Sequence, residues 1–123
     1  MKSKKQKLKE KCVKLAMKLK LAKHPHCVFC GERATVAHHF IHQSRSNYLR
    51  CDERNLIPIC KTCHYKLHNG YESVMAGLLI KKYGQEWFDS LVRDSRKTIK
   101  DNIGYWNEVL DKLKREVENV SIF

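Results

Sequence analysis

The fold of this chain is decided by two short stretches, CVFCGERATVAHH at residues 27–39 and CKTCHYKLH at residues 60–68. Each stretch begins with two cysteines that are separated by two residues, and Gly31 after the first pair lets a knuckle close around a metal. Four thiols in two such pairs have the ligand number and the softness of a structural zinc site. The sequence therefore predicts zinc held by Cys27, Cys30, Cys60 and Cys63.

Histidines occupy positions between and after the cysteine pairs that a second metal would need. His38 and His39 are adjacent, and His64 and His68 are four residues apart, a spacing that puts two imidazoles on one helix face. A structural zinc site needs only four ligands. Because this segment also holds four histidines and Asn55, we expect it to do more than fold around zinc.

The residues around these ligands predict two strands and a helix. Residues 34–41 and 56–59 have strand character, and residues 61–69 form a helical pattern that ends at an Asn-Gly pair. Adjacent residues on a strand point to opposite faces, so His38 and His39 are expected to meet different partners. The predicted fold class is therefore α+β, a small strand–strand–helix metal core flanked by N- and C-terminal helices.

Length and charge divide the chain into three parts. With 123 residues there is room for one small domain and flanking helices, and a metal would supply stability that so thin a core lacks. Residues 1–23 form a helical arm with ten lysines and one glutamate, residues 24–70 form the metal core, and residues 71–123 are helical with no net charge. Of the formal net charge of +12, most lies in the arm, which predicts a nucleic-acid partner. A membrane surface is the alternative partner for such a helix, although the arm lacks an anchoring Trp or Phe.

The terminal segments carry helical stripes of apolar residues. The first six residues are expected to fray, and shorter helices are predicted over residues 71–82 and 85–95. The two stripes, each in alternating steps of four and three, are Leu8, Cys12, Leu15, Leu19 and Ala22, and Ile99, Ile103, Trp106, Leu110, Leu113, Val117 and Val120. Either the two terminal helices pack together within one chain, or the C-terminal helix forms the seam of a homodimer.

Two cysteines are left outside the predicted zinc site. Cys12 lies on the apolar stripe and is expected to be a small buried residue, whereas Cys51 lies in a polar loop and is expected to be a free thiol. Paired CxxC motifs followed by histidine favour metal binding in a reducing compartment over disulfides. With no visible signal peptide or membrane span, we expect a soluble, cytoplasmic protein.

The segment from Cys27 to His68 resembles the HNH endonucleases, which have a ββα-metal fold. In many members of that family, a zinc ion held by four cysteines lies at the boundary of this fold. The resemblance implies that His38, His64 and His68 bind one divalent cation, which could be Mg, Mn, Ni or Zn. It implies that His39 is the general base and that Asn55 steadies the loop and the base. The implied reaction is metal-dependent hydrolysis of DNA phosphodiester bonds.

A weaker resemblance extends beyond this segment. The basic helical start, the metal core and a tail with Lys82-Tyr83-Gly84 and a final long helix are similar to the NinG/Rap phage recombination proteins. That family is associated with cleavage of branched DNA, so double-stranded or branched DNA is the implied substrate. For a phage protein, the location would be the cytoplasm of the bacterial host.

The substrate is expected to contact basic and aromatic side chains near the metal core. Arginine forks suit phosphate oxygens, and a tyrosine can stack on a base or sugar. The candidate contacts are Arg45, Tyr48, Arg50 and Arg54 in the loop, with Lys61 and Lys66 on the helix. An ordinary polar loop is the alternative reading of this segment, and His42 is expected to be a solvated loop residue.

Two non-catalytic functions stay open at this stage. The chain could be a zinc-stapled module that binds DNA through its lysine arm, although binding alone would not require His39. It could also be an adaptor that recruits partners through its C-terminal helix. A zinc deaminase is excluded because the His-x-Glu motif that supplies its general acid and base is absent.

Overall fold

A computed structural model describes residues 1–120 of the chain. Five helices and one two-stranded sheet make up this part, in the order α1, β1, β2, α2, α3, α4 and α5. Their bounds are Lys4–Lys23 for α1, Val36–His39 for β1, Leu56–Ile59 for β2, Lys61–Lys66 for α2, Glu72–Tyr83 for α3, Gln85–Asp94 for α4 and Ile103–Glu118 for α5. A 3-10 turn, Glu53–Asn55, precedes β2. The last three residues of the helical region predicted for 71–123 lie outside the described part.

The two strands form an antiparallel hairpin whose two faces are covered by different layers. His38 pairs with Ile57 on one face, and His39 pairs with Leu56 on the other. Leu56 joins the apolar cluster of α1 and α5, while Ile57 joins a cluster that contains the CxxC cysteines. The hairpin therefore separates a helical layer from the zinc layer, and it presents one histidine to each. The observed strand β1 is shorter than the predicted 34–41, but the α+β fold class with flanking helices is confirmed.

Helix α1 begins earlier than its sequence pattern predicted. The first six residues were expected to fray, yet Ser3 caps the helix: its hydroxyl accepts from the Gln6 amide at 3.1 Å, and the Gln6 side chain accepts from the Ser3 amide at 3.0 Å. This reciprocal capping box satisfies N–H groups that would otherwise be left without partners at the helix start. The helix is therefore ordered from Lys4.

The two terminal helices pack on each other within one chain. Cys12, Ala16 and Leu19 of α1 are buried against Trp106, Leu110 and Leu113 of α5. The middle of the stripe predicted as a possible dimer seam is thus covered internally, whereas Ile103 is exposed, and a homodimer through α5 stays a prediction. Ile99 lies before α5 and not on it, because Asn102 caps the helix by accepting from the Tyr105 amide at 2.8 Å.

The two remaining cysteines lie on the helical layer. Cys12 is fully buried, as predicted, and its thiol donates to the carbonyl of Trp106 at 3.4 Å. Cys51 was expected in a polar loop, but it packs against the same apolar cluster, and burial raises the pKa of its thiol to about 12. Cys51 is a free thiol in the loop, as expected, but it is half-buried because the loop packs against the cluster formed by α1 and α5.

The middle helices complete the zinc layer. Met75 and Leu79 of α3 pack on the cysteine cluster, and Trp87 of α4 stacks at 4.9 Å from the Phe40 ring. Helices α3 and α4 match the two predicted helices within two residues at each end. Within residues 1–120, no helix combines the length and the apolar character needed to cross a membrane.

Candidate functional site

Four cysteines converge where the first knuckle meets the start of α2. The Sγ atoms of Cys27, Cys30, Cys60 and Cys63 all lie within 4.8 Å of one another. The Cys30 and Cys60 sulfurs are 3.5 Å apart, close to the separation of about 3.8 Å that tetrahedral zinc with bonds of about 2.3 Å requires. The ligand type, number and spacing fit zinc, and the four cysteines form a zinc site.

Backbone geometry closes the first knuckle and lowers the pKa of one of its two thiols, whereas burial raises the pKa of Cys63. Gly31 adopts a positive φ of 78° that closes the first knuckle, and its amide bonds the Cys27 carbonyl at 2.9 Å. Burial raises the pKa of the Cys27 thiol, but N–H groups of Cys30, Cys60 and Phe29 outweigh burial and bring that pKa to about 7. A thiol that ionises readily is the form that zinc binds.

Three histidines form a second cluster on the zinc side of the hairpin. The ring nitrogens of His38, His64 and His68 lie within 4.8 Å of one another, and the Nε2 atoms of His64 and His68 are 3.0 Å apart. His38 comes from β1, His64 from α2, and His68 from the kinked turn that follows, Leu67–Tyr71. The backbone stays helical through His68, and Asn69 and Gly70 are the first residues with non-helical angles. The predicted four-residue spacing therefore brings the imidazoles of His64 and His68 together.

The electrostatics of this cluster favour uncharged rings. Burial, and then the neighbouring imidazoles of His64 and His68, lower the pKa of His38 to about 4. Burial, followed by His68, also lowers the pKa of His64. A neutral imidazole has a nitrogen lone pair to donate, so at neutral pH these residues are suited to hold one divalent cation and to leave positions open for other ligands.

His39 occupies the opposite face of β1 and is buried. Its Nε2 atom lies 2.8 Å from the carbonyl oxygen of Arg50, which can only accept a hydrogen bond. The proton of the neutral ring therefore sits on Nε2, which leaves Nδ1 unprotonated. Burial lowers the pKa of His39 below its usual value, so the ring is neutral near pH 7.

Asn55 links the end of β1 to the loop that carries Arg50. Its side chain is fully buried; Oδ1 accepts from the Ile41 amide at 2.7 Å, and Nδ2 donates to the Ile41 carbonyl at 3.0 Å and the Leu49 carbonyl at 3.2 Å. All but one of its hydrogen-bonding positions are used, as a buried amide requires. Asn55 thus fixes the loop one residue from the carbonyl that His39 contacts.

His42 is closer to the cluster than its sequence position indicated. It was expected to be a solvated loop histidine, and it is exposed, but its ring centroid lies 6.4 Å from that of His38 in an edge-on arrangement. Its spacing of three residues from His39 is the sequence signal, which is weak because the loop conformation decides where the ring points.

The predicted substrate contacts fall into two groups. Arg45, Lys61 and Lys66 are exposed, whereas Arg50 and Arg54 are tied to the protein. The Arg54 guanidinium bonds Asp52 and Asp94 at 2.9 Å each, which raises its pKa and joins the 3-10 turn to α4. Tyr48 is half-buried beneath the Lys97 ammonium, 5.1 Å from the ring centroid.

The histidine cluster, the zinc site and the hairpin between them all lie in one segment of the chain. Residues 27–70 match the family model of the HNH endonucleases. This HNH segment covers the cysteine and histidine clusters and indicates a nuclease, and it leaves α1, α3, α4 and α5 outside the match. Neither a curated protein nor a solved structure matches the chain.

Proposed function

We propose that this protein is a metal-dependent DNA endonuclease that hydrolyses phosphodiester bonds beside the histidine cluster. The observation that carries the proposal is the pair of adjacent histidines on β1. His38 meets His64 and His68, while burial lowers the pKa of His39 and the carbonyl of Arg50 fixes the orientation of its ring. The match of the HNH segment to a nuclease family supports this reading.

His38, His64 and His68 would hold one divalent cation, which could be Mg, Mn, Ni or Zn. When bound, such a cation stabilises the negative charge that develops on phosphate and leaving-group oxygens during hydrolysis. Three imidazoles favour the softer ions of this group over Mg. The low pKa of His38 supports the role, because a proton then seldom competes for the ring at neutral pH.

His39 would take a proton from the attacking water. With Nε2–H donated to the Arg50 carbonyl, Nδ1 is the atom that can accept this proton. The carbonyl also stabilises the ring once it is charged, since Nε2–H donates to it in both states. Asn55 would act through the loop by keeping that carbonyl in place, and it is therefore a positioning residue.

DNA is the proposed substrate because of where the positive charge lies. Residues 1–23 carry ten lysines and one glutamate, and most of this basic arm is the helix α1. We propose that the chain has three functional parts, which are residues 1–23, 24–70 and 71–123. Arg45, Lys61 and Lys66 are exposed and available to phosphate oxygens. Tyr48 and Arg50 are proposed to contact DNA from the loop. Arg54 forms ion pairs with Asp52 and Asp94, so we propose that it mainly stabilises the loop.

Cleavage of supercoiled plasmid and of a four-way junction, with Mg, Mn or Ni, tests the proposal. We expect metal-dependent nicking that His39→Ala reduces by about 100-fold or more while DNA binding is kept. A preference for the junction would support the finer proposal of a recombination nuclease acting on branched DNA. Binding without cutting by the wild-type protein would overturn the catalytic claim and leave a zinc-stapled DNA-binding module.

A further inference from the structure

A cleft lies between α1 and the loop that follows β1, on the side of the hairpin that His39 faces. It has a volume of about 550 Å³, within the range of sites for small molecules, so it has room for a phosphate with its attached sugar. Its walls include Gln6 and Lys14 from α1, and Gln43 and Arg50 from the loop. We refer to the cleft that these four residues line as the α1–loop cleft.

The polar groups of this cleft are mostly donors. The Gln6 Oε1 atom already accepts from the Ser3 amide, and the Gln43 Oε1 atom accepts from Arg50 Nη1 at 3.1 Å. The two glutamine side chains therefore have their amide N–H groups available to donate into the cleft. The Arg50 guanidinium uses three of its five N–H groups on Asn47 and Gln43, and Lys14 adds an exposed ammonium.

The net charge of the residues that line the cleft is positive. Among its described lining residues the carboxylate is Glu10, which is paired with Lys2 at 2.7 Å. Lys9 also lines the cleft, but it is engaged by Asp101 and by the face of Trp106. A cleft that offers N–H groups and positive charge, with its carboxylate neutralised, is complementary to an anion.

Arg50 connects this cleft to the proposed base. Its side chain forms part of the cleft wall, and its own carbonyl accepts the hydrogen bond from His39. The cleft and the proposed base are therefore linked through one residue, the cleft by its side chain and the base by its carbonyl. We infer that the α1–loop cleft binds a second backbone phosphate of the DNA substrate, other than the one that is cut. This inference rests on the proposed function for the identity of its ligand.

Isosteric charge changes test the cleft without disturbing the fold. Gln6→Glu and Gln43→Glu keep the oxygens that accept the existing hydrogen bonds, and Glu at position 6 also completes a common form of the capping box. Each replaces an N–H donor in the cleft with a negative oxygen. Lys112→Gln on α5 changes net charge equally outside the cleft and is the matched control.

The first measurement is the affinity for a fluorescently labelled DNA duplex, by anisotropy, without added divalent cation. We expect each glutamate variant to bind about tenfold more weakly than Lys112→Gln, because a charge-assisted contact is replaced by repulsion. In Lys14→Gln, the dependence of log affinity on log salt should become less steep by about 1. Equal effects of the glutamate variants and Lys112→Gln would overturn the inference, since net charge alone would then explain them.

Cleavage measured in parallel separates this inference from the proposed function. If the wild-type protein cuts DNA and the glutamate variants match it in affinity and in KM, the cleft is not a substrate site although the nuclease stands. If no protein cuts but the glutamate variants bind more weakly than the control, the nuclease is overturned and the phosphate site stands.

Discussion

At the scale of single residues, two neighbours in the sequence have been given different surroundings. His38 and His39 point to opposite faces of β1, so one ring enters the cluster with His64 and His68, and the other meets the Arg50 carbonyl. Each ring is kept neutral by burial, but only the three clustered rings can share one ion. The proposed division between metal ligand and base follows from this geometry.

Removal of one clustered imidazole should weaken the second metal site selectively. In zinc-loaded protein, His64→Ala should lower the affinity for added Mn or Ni, measured by calorimetry, by at least about tenfold. The zinc content at the cysteines should not change. His24→Ala is the control, because His24 lies outside the cluster in an exposed contact with Glu53. Unchanged Mn and Ni affinity in His64→Ala would contradict the assignment.

Cys51 should be unreactive in the folded protein. Burial raises its pKa from about 9 to about 12, so at pH 8 almost no thiolate forms, and iodoacetamide should label it far more slowly than in urea. The raised pKa also makes the free energy of unfolding depend on pH. The contribution of Cys51 to stability is complete below about pH 9 and is lost as the pH rises towards 12, because the thiol of the unfolded chain ionises first. Peptide mapping by mass spectrometry is the measurement, and rapid native labelling of Cys51 would contradict the burial.

At the scale of elements, the loop between β1 and β2 is held by one amide. From the end of this loop, Asn55 bonds two backbone groups at its start and one in its middle, and the 3-10 turn that contains Asn55 is tied to α4 through Arg54 and Asp94. The loop therefore has fixed ends although it lies between the strands. Fixed ends are what a base oriented by a loop carbonyl requires.

Asn55→Ala should cost about 3 kcal/mol of unfolding free energy, since it leaves buried backbone groups of Ile41 and Leu49 without partners. Urea unfolding measures this change, and cleavage should fall even where the variant remains folded. Asn119→Ala, at the exposed end of α5, should change stability by less than about 0.5 kcal/mol. Similar stabilities for the two variants would show that the loop is held by other contacts.

At the scale of the whole molecule, the zinc site and the helical layer stabilise opposite faces of a very small sheet. Three of the four zinc cysteines belong to an apolar cluster with Ile57, Met75 and Leu79, whereas α1 and α5 bury Ala37 and Leu56 from the other side. A two-stranded hairpin alone is marginally stable in water. The histidines on β1 therefore depend on both layers for their positions.

Loss of zinc should remove the zinc layer and, with it, the proposed nuclease activity. Cys60→Ser should bind less than one zinc per chain and unfold at a lower urea concentration than the wild type, because structural zinc contributes folding free energy directly. Cys12→Ala is the control: it alters the buried helical layer but should keep full zinc content. Metal analysis and urea titration of both variants give the answer, and full zinc occupancy in Cys60→Ser would rule out this site.

The sequence by itself was sufficient for features that depend on spacing along the chain. Two CxxC pairs, a His-x3-His repeat and alternating strand residues are local patterns, so the zinc site, the hairpin and the existence of the helices could be predicted. Helix ends were predicted less well, because the side chains of Ser3 and Asn102 set them by capping.

Only the tertiary structure decided which surfaces are covered and which side chains are engaged. Most of the α5 stripe packs on α1, Cys51 is half-buried against both helices, Arg54 is ion-paired with Asp94 from α4, and His42 lies beside His38. The α1–loop cleft likewise joins residues that are far apart in the chain. Such contacts depend on how distant segments fill space together, and a one-dimensional pattern of charge and polarity does not contain that information.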